Sequence, residues 1–164
     1  MNIIKISLGD EKRFKYLFLG VMLLILAGSM TAIAAADDYA SLSDYTFDIP
    51  DGYQVADKAD NMLAMEADDN HSVIVYALED AGDLDIFKSL LDSQGCEFAD
   101  EQTFQSGSFD VNQSTFTYMD IQGYLYICDD GKGTPVLVAN AIPTSEELPA
   151  ADDNPAYQVV SSLE

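Results

Sequence analysis

From Tyr16 to Ala36 the chain runs for 21 residues without a charge, and the stretch has no polar face that would suit it to the surface of a soluble domain. Roughly 20 such residues suffice to span a bilayer as a helix. The first 36 residues are therefore set apart from any globular core, and of the 164 in the chain the remaining 128 must make the fold, about the size of one domain. The flanks give the stretch the form of an export signal. Lys5, Lys12, Arg13 and Lys15 precede it against only Asp10 and Glu11, and Thr31 to Ala36 supplies small residues, with Ala32-Ile33-Ala34 and Ala34-Ala35-Ala36 both fitting the A-x-A cleavage pattern. The positive flank orients the N-terminus inward. Residues 1–36 thus read as a signal peptide that is removed or as an N-terminal anchor that is kept. No Cys stands near their end, so a lipoprotein-type anchor is not available.

Beyond Ala36 the charge balance is extreme. Lys58, Lys88 and Lys132 are the only cations against 27 acidic residues, a formal charge of −24. Phosphate backbones and anionic headgroups are repelled by such a surface, because binding them takes clustered Lys or Arg. Nucleic acid is excluded as a partner, and contact with the membrane falls to the N-terminal segment alone. The acidity does not imply disorder, since Val, Ile, Leu, Phe and Tyr recur at regular spacing throughout.

That spacing predicts the elements. Residues 37–43 read as a short polar linker, with the domain beginning at 44. Tyr45, Phe47 and Ile49 alternate with polar neighbours as in a half-buried strand, and Pro50-Asp51-Gly52 turns the chain toward a second strand at Tyr53 and Val55. Met62–Glu66 and Val73–Leu78 flank Ala67-Asp68-Asp69-Asn70 as a hairpin, the latter strand apolar on both faces as a central strand would be. A central helix follows, with Asp83 as N-cap, Leu84, Phe87, Leu90 and Leu91 at helical spacing, and Gly95 as its stop. Further strand segments are predicted at Cys96–Phe104, Phe109–Val111, Thr115–Ile121, Gly123–Cys128 and Pro135–Ile142. Thr144 and Glu147 have the spacing of a capping box for a short helix. Asn154-Pro155 begins another, with Ala156, Val159, Val160 and Leu163 on one face. The order predicts the α+β class: an antiparallel β-sheet packed against a central helix and a C-terminal helix, preceded by the hydrophobic export helix.

The run Tyr45-Thr46-Phe47-Asp48-Ile49-Pro50-Asp51-Gly52-Tyr53, the early hairpin, the helix after Val73–Leu78, the long antiparallel stretch and the closing Val159-Val160-Ser161-Ser162-Leu163 resemble the PsbP/DcrB-like fold group. The resemblance covers nearly all of the exported part and rests on structural residues. It implies a small extracytoplasmic accessory protein without catalytic residues; the chain departs from the lipoprotein members of the group in lacking their anchoring Cys.

Few residues carry chemistry. Cys96 and Cys128 are the only cysteines, and two readings stand: a disulfide favoured by an oxidising exterior, or two small buried hydrophobes. His71, the one histidine, lies beside a turn, and two thiols with one imidazole at scattered positions do not make a zinc site. Calcium, which takes oxygen ligands, has Asp80, Asp83 and Asp85, or Asp129 and Asp130, as candidate ligands in loops, although the spacing is not that of an EF-hand. Helix capping and turn formation are the competing account of the same residues. Asn70-His71-Ser72 and Asn112-Gln113-Ser114 are sequons, so Asn70 and Asn112 are candidate glycosylation sites in an exported chain. The functional expectation is a non-catalytic domain, secreted or tethered, that binds a cell-surface protein or envelope component. A calcium-dependent surface module and a small carboxylate-based hydrolase are the alternatives.

Overall fold

The computed structural model describes residues 38–67, 70–80 and 82–164. The export segment expected at 1–36 lies outside the described residues. Among the described residues, nine strands and two helices follow one another as β1 (Tyr39–Leu42), β2 (Tyr45–Asp48), β3 (Gln54–Lys58), β4 (Met62–Glu66), β5 (Ser72–Ala77), α1 (Asp83–Ser93), β6 (Glu97–Ser106), β7 (Phe109–Tyr118), β8 (Ile121–Asp129), β9 (Val136–Pro143) and α2 (Pro155–Ser162). β1 and β2 form a separate hairpin, and the other seven strands make one antiparallel sheet in the order β3-β4-β5-β9-β8-β7-β6. The α+β class is as expected.

Alternation along the strands divides the interior into two layers. Met65, Val73, Val75, Val111, Tyr126, Cys128, Val136 and Val138 point to the face covered by the β1–β2 hairpin and α2, whose Phe47, Ala156, Val159 and Val160 complete that core. Phe116, Leu125, Ile127 and Leu137 point to the other face and meet Leu90 and Leu91 of α1. α1 has acidic residues in its first turn, which suits the positive end of the helix dipole, and it stops at Gly95. Gly95 takes φ +86, and the Cys96 amide returns to the Leu91 carbonyl at 3.1 Å, satisfying one of the last free carbonyls. Asn154 caps α2: its side chain accepts from the Tyr157 amide at 3.0 Å, with Pro155 in the first turn, as read from the sequence.

Four local expectations are corrected. Of the linker expected at 37–43, the described part is not one, because Tyr39–Leu42 is β1, paired with β2, and its Ala40 and Leu42 alternate into the core. Asp83 is not the N-cap of α1; it lies inside the first turn, where its Oδ2 accepts from the Asp80 amide at 3.2 Å. Phe109–Val111 and Thr115–Ile121 are not separate strands split by a polar break, since β7 runs unbroken through Asn112, Gln113 and Ser114, the last two buried. The capping-box spacing at Thr144 and Glu147 does not start a helix. The Thr144 amide bonds the Asp120 carbonyl at 2.8 Å instead, and no helix is assigned between β9 and α2.

Long-range hydrogen bonds account for that last difference. Three side chains at every second position of β8 hold the segment after β9: Gln122 Nε2 donates to the Glu146 carbonyl at 2.6 Å, Tyr124 Oη to that of Pro149 at 2.9 Å and Tyr126 Oη to that of Ala151 at 3.0 Å. With its carbonyls drawn to the sheet in steps, the segment lies extended along the strand rather than coiling on itself.

Candidate functional site

At the β6 edge of the sheet a groove of about 590 Å³ opens to solvent. Alternation brings six side chains to it from three adjacent strands: Thr103 and Gln105 of β6, Asp110 and Asn112 of β7, and Ile127 and Asp129 of β8. Register stacks them in two rows, Thr103 beside Asn112 beside Ile127, then Gln105 beside Asp110 beside Asp129. Two carboxylates thus stand directly opposite each other on paired strands, an arrangement that ordinarily destabilises a sheet. Gln105 Nε2 donates to Asp110 Oδ1 at 3.1 Å, and the Gly131 amide donates to Asp129 Oδ1 at 2.8 Å. The nearest cation in sequence, Lys132, turns to Asp130, with Nζ 3.6 Å from its Oδ2. The groove therefore combines an apolar floor at Ile127, neutral amides and two carboxylates, a chemistry that suits cationic, hydrogen-bonding groups.

The residues singled out from the sequence are dispersed. Asp80 and Asp83 shape the entry to α1, where Asp80 Oδ1 accepts from the Gly82 amide at 2.7 Å, and Asp85 stands exposed in the first helical turn. Asp129 and Asp130 each fold over the loop that follows, the latter accepting from the Lys132 amide at 2.9 Å. Among the described residues no group of three or more His, Cys, Asp or Glu is arranged to hold a metal ion. Asn70 is exposed at φ +60, in the turn where glycosylation would reach it, whereas Asn112 is mid-strand between β6 and β8. His71 Nε2 lies 2.7 Å from Glu146 Oε2, tying the β4–β5 turn to the segment after β9. The sequence points Asp129 and Asn112 to other roles and gives no sign of Gln105 and Asp110. Only strand register, which a single sequence does not display, brings the four together.

Cys96 and Cys128 are both buried and both free. Cys96 packs in the α1 layer and Cys128 in the layer under α2, so the sheet separates them. A disulfide needs converging side chains on Cα atoms within about 7 Å, and this arrangement denies it. Of the two sequence readings, the structure has the buried-hydrophobe one. Burial, with Asp92 and Glu97 adding to it, pushes the Cys96 thiol up to about 11, and burial pushes that of Cys128 up to about 12. Neither is a nucleophile near neutral pH. The isolated protein is expected to resist alkylation at pH 7.5 and to take two adducts once unfolded without reductant; mass spectrometry showing no adducts after unfolding would establish a disulfide. The raised thiols also set an alkaline limit. The neutral forms are the ones favoured by the fold, so their contribution is complete below the unfolded value of about 9 and is lost as pH rises from there through 11 and 12. Denaturant midpoints measured between pH 8 and 11 should fall progressively.

No protein-family model matches the chain, and no curated protein is significantly similar to it. Among solved structures, the chain is similar to a crystal structure from Bacteroides thetaiotaomicron VPI-5482, at a TM-score of 0.50 and 13% sequence identity over 79% of this chain. The match takes in 48% of that protein, so this chain spans about half its length. The likeness is one of fold.

Proposed function

We propose that this chain is a non-catalytic extracytoplasmic domain, secreted or held at the membrane by its N-terminal segment, that binds a protein or envelope component at the cell surface. The observation that carries the proposal is the sequence of a signal-type leader followed by a folded domain with a formal charge of −24. Such a coat keeps the domain soluble and repels anionic surfaces, leaving neutral or cationic partners. The resemblance to the PsbP/DcrB-like group supports the same reading, as does the open, carboxylate-lined groove at the β6 edge.

Crosslinking on intact cells followed by identification of the attached neighbours tests it. A recurrent surface or envelope neighbour is the expected result. A purified protein that turns over an envelope substrate, and loses that activity in Asp110→Asn or Asp129→Asn, would overturn the non-catalytic reading.

A further inference from the structure

We propose that the outer edge of β6 from Gln102 to Ser106 is a docking strand for an extended, Lys- or Arg-bearing segment of a partner protein, whose cationic side chains enter the groove beside Asp110, which faces Asp129 on the next strand. The proposal rests on the partner-binding reading above and names the surface that would serve it.

The two edges of the seven-stranded sheet are unequal. An edge strand presents unpaired N–H and C=O groups to any extended chain, and proteins guard such edges with short strands, charges and bulges. β3 at one edge has all three guards: it has five residues, carries Asp57 and Lys58, and its register shifts between Val55 and Asp57. β6 at the other edge is guarded over only half its ten residues. Its first half holds Glu97, Asp100 and Glu101, and a register shift between Ala99 and Gln102 puts Asp100 at φ +53. From Gln102 to Ser106 the strand is uncharged and pairs without interruption to β7, from Gln113 to Phe109. The unguarded half is the half that borders the groove.

Strand addition supplies affinity through main-chain hydrogen bonds and specificity through pockets for alternate side chains. An added strand would lie roughly 4.8 Å beyond β6 and so roughly 10 Å from β7, a distance that a Lys or Arg side chain laid across β6 covers to Asp110, with Asp129 adding its charge from the next strand. A cation there would relieve the opposition of Asp110 and Asp129, which no described cation offsets by a salt bridge. The same chemistry argues against a second copy of this chain as occupant: its β6 would bring another Asp110 and Asp129 to the same edge, on a domain of the same charge.

The test uses the protein as isolated from cells and a fluorescent eight-residue peptide of alternating Lys and Thr, with two controls: the same peptide N-methylated at every second residue, and its Glu-Thr counterpart. At physiological ionic strength the Lys-Thr peptide is expected to bind, with N-methylation weakening it at least tenfold and the Glu-Thr peptide not binding. Asp110→Asn with Asp129→Asn should weaken binding at least fivefold, while Asp51→Asn with Asp60→Asn, which removes the same charge from exposed turns elsewhere, should change it less than twofold. Because the first pair removes an unfavourable opposition, it should melt no lower than the parent, so its loss of binding is not loss of fold. Binding that is indifferent to N-methylation, or equally weakened by both pairs, would mean attraction to the acidic coat alone and would overturn the proposal. Absence of binding, or self-association through β6, would overturn it as well. A recurrent neighbour found on cells despite such a result would leave the partner-binding reading standing and the docking strand refuted.

Discussion

Replacing Gly123 by Ala is expected to destabilise the protein by about 3 kcal/mol or more, lowering the melting temperature by roughly 10 °C. A Cβ at Gly123 would sit 1.8 Å from the carbonyl oxygen of Asn140 on the neighbouring strand, 2.8 Å from its carbonyl carbon and 3.0 Å from Cε1 of Phe116. The first two are main-chain atoms of β9, which is flanked by β5 and β8 and has no room to move aside. The close approach is part of a local departure from regular pairing. Pairing of β8 with β9 lapses between Gln122–Ile142 and Leu125–Ala139, and Asn140 Oδ1 accepts from the Tyr124 amide at 3.0 Å, where a ladder would use a main-chain oxygen. Asn140 is fully buried, so no solvent offsets a disturbance there. Thermal and urea unfolding of the variant check the prediction, with a shift under 1 kcal/mol contradicting it.

The second large effect lies at Asn154. Its buried side chain donates to Tyr126 Oη and to the Ala151 carbonyl, each at 2.7 Å, and caps α2 through the Tyr157 amide. Asn154→Ala removes a cap worth roughly 1 kcal/mol and two further hydrogen bonds, leaving the Tyr126 hydroxyl and the Ala151 carbonyl with only each other, so a loss of about 2 to 4 kcal/mol is expected. Tyr126→Phe removes the hydroxyl that both donates to Ala151 and accepts from Asn154, and should cost about 1 to 2 kcal/mol. Because the two share partners, the double variant should lose less than the sum of the single losses. Strict additivity in equilibrium unfolding would show that the two groups do not act as one network.

These two positions also mark how far the sequence could be read. Elements whose apolar residues repeat without interruption were legible: Phe47 with its neighbours in β2, the β4–β5 hairpin, α1 with its Gly95 stop, and α2 with Asn154 and Pro155. β1 was not, because a strand of four residues offers only Ala40 and Leu42 as a pattern. β7 looked broken at Asn112, Gln113 and Ser114, and pairing on both sides of the strand overrides that polar run. At Thr144 the local capping signal lost to bonds from Gln122, Tyr124 and Tyr126, which lie 24 or 25 positions from the carbonyls they hold and which no local pattern connects with that segment. The groove shares that origin. Gln105, Asp110 and Asp129 meet only through register, and the need for Gly at 123 is visible only once β9 is in place.

We propose that the acidic domain lies outside the cytoplasmic membrane, and Lys58, Lys88 and Lys132 provide a direct probe of its location. An amine reagent small enough to enter the outer envelope but unable to cross the cytoplasmic membrane is applied to intact and to lysed cells, and the modified lysines are identified by mass spectrometry. Equal labelling of the three lysines in both samples is expected; labelling that appears only after lysis would put the domain on the cytoplasmic side.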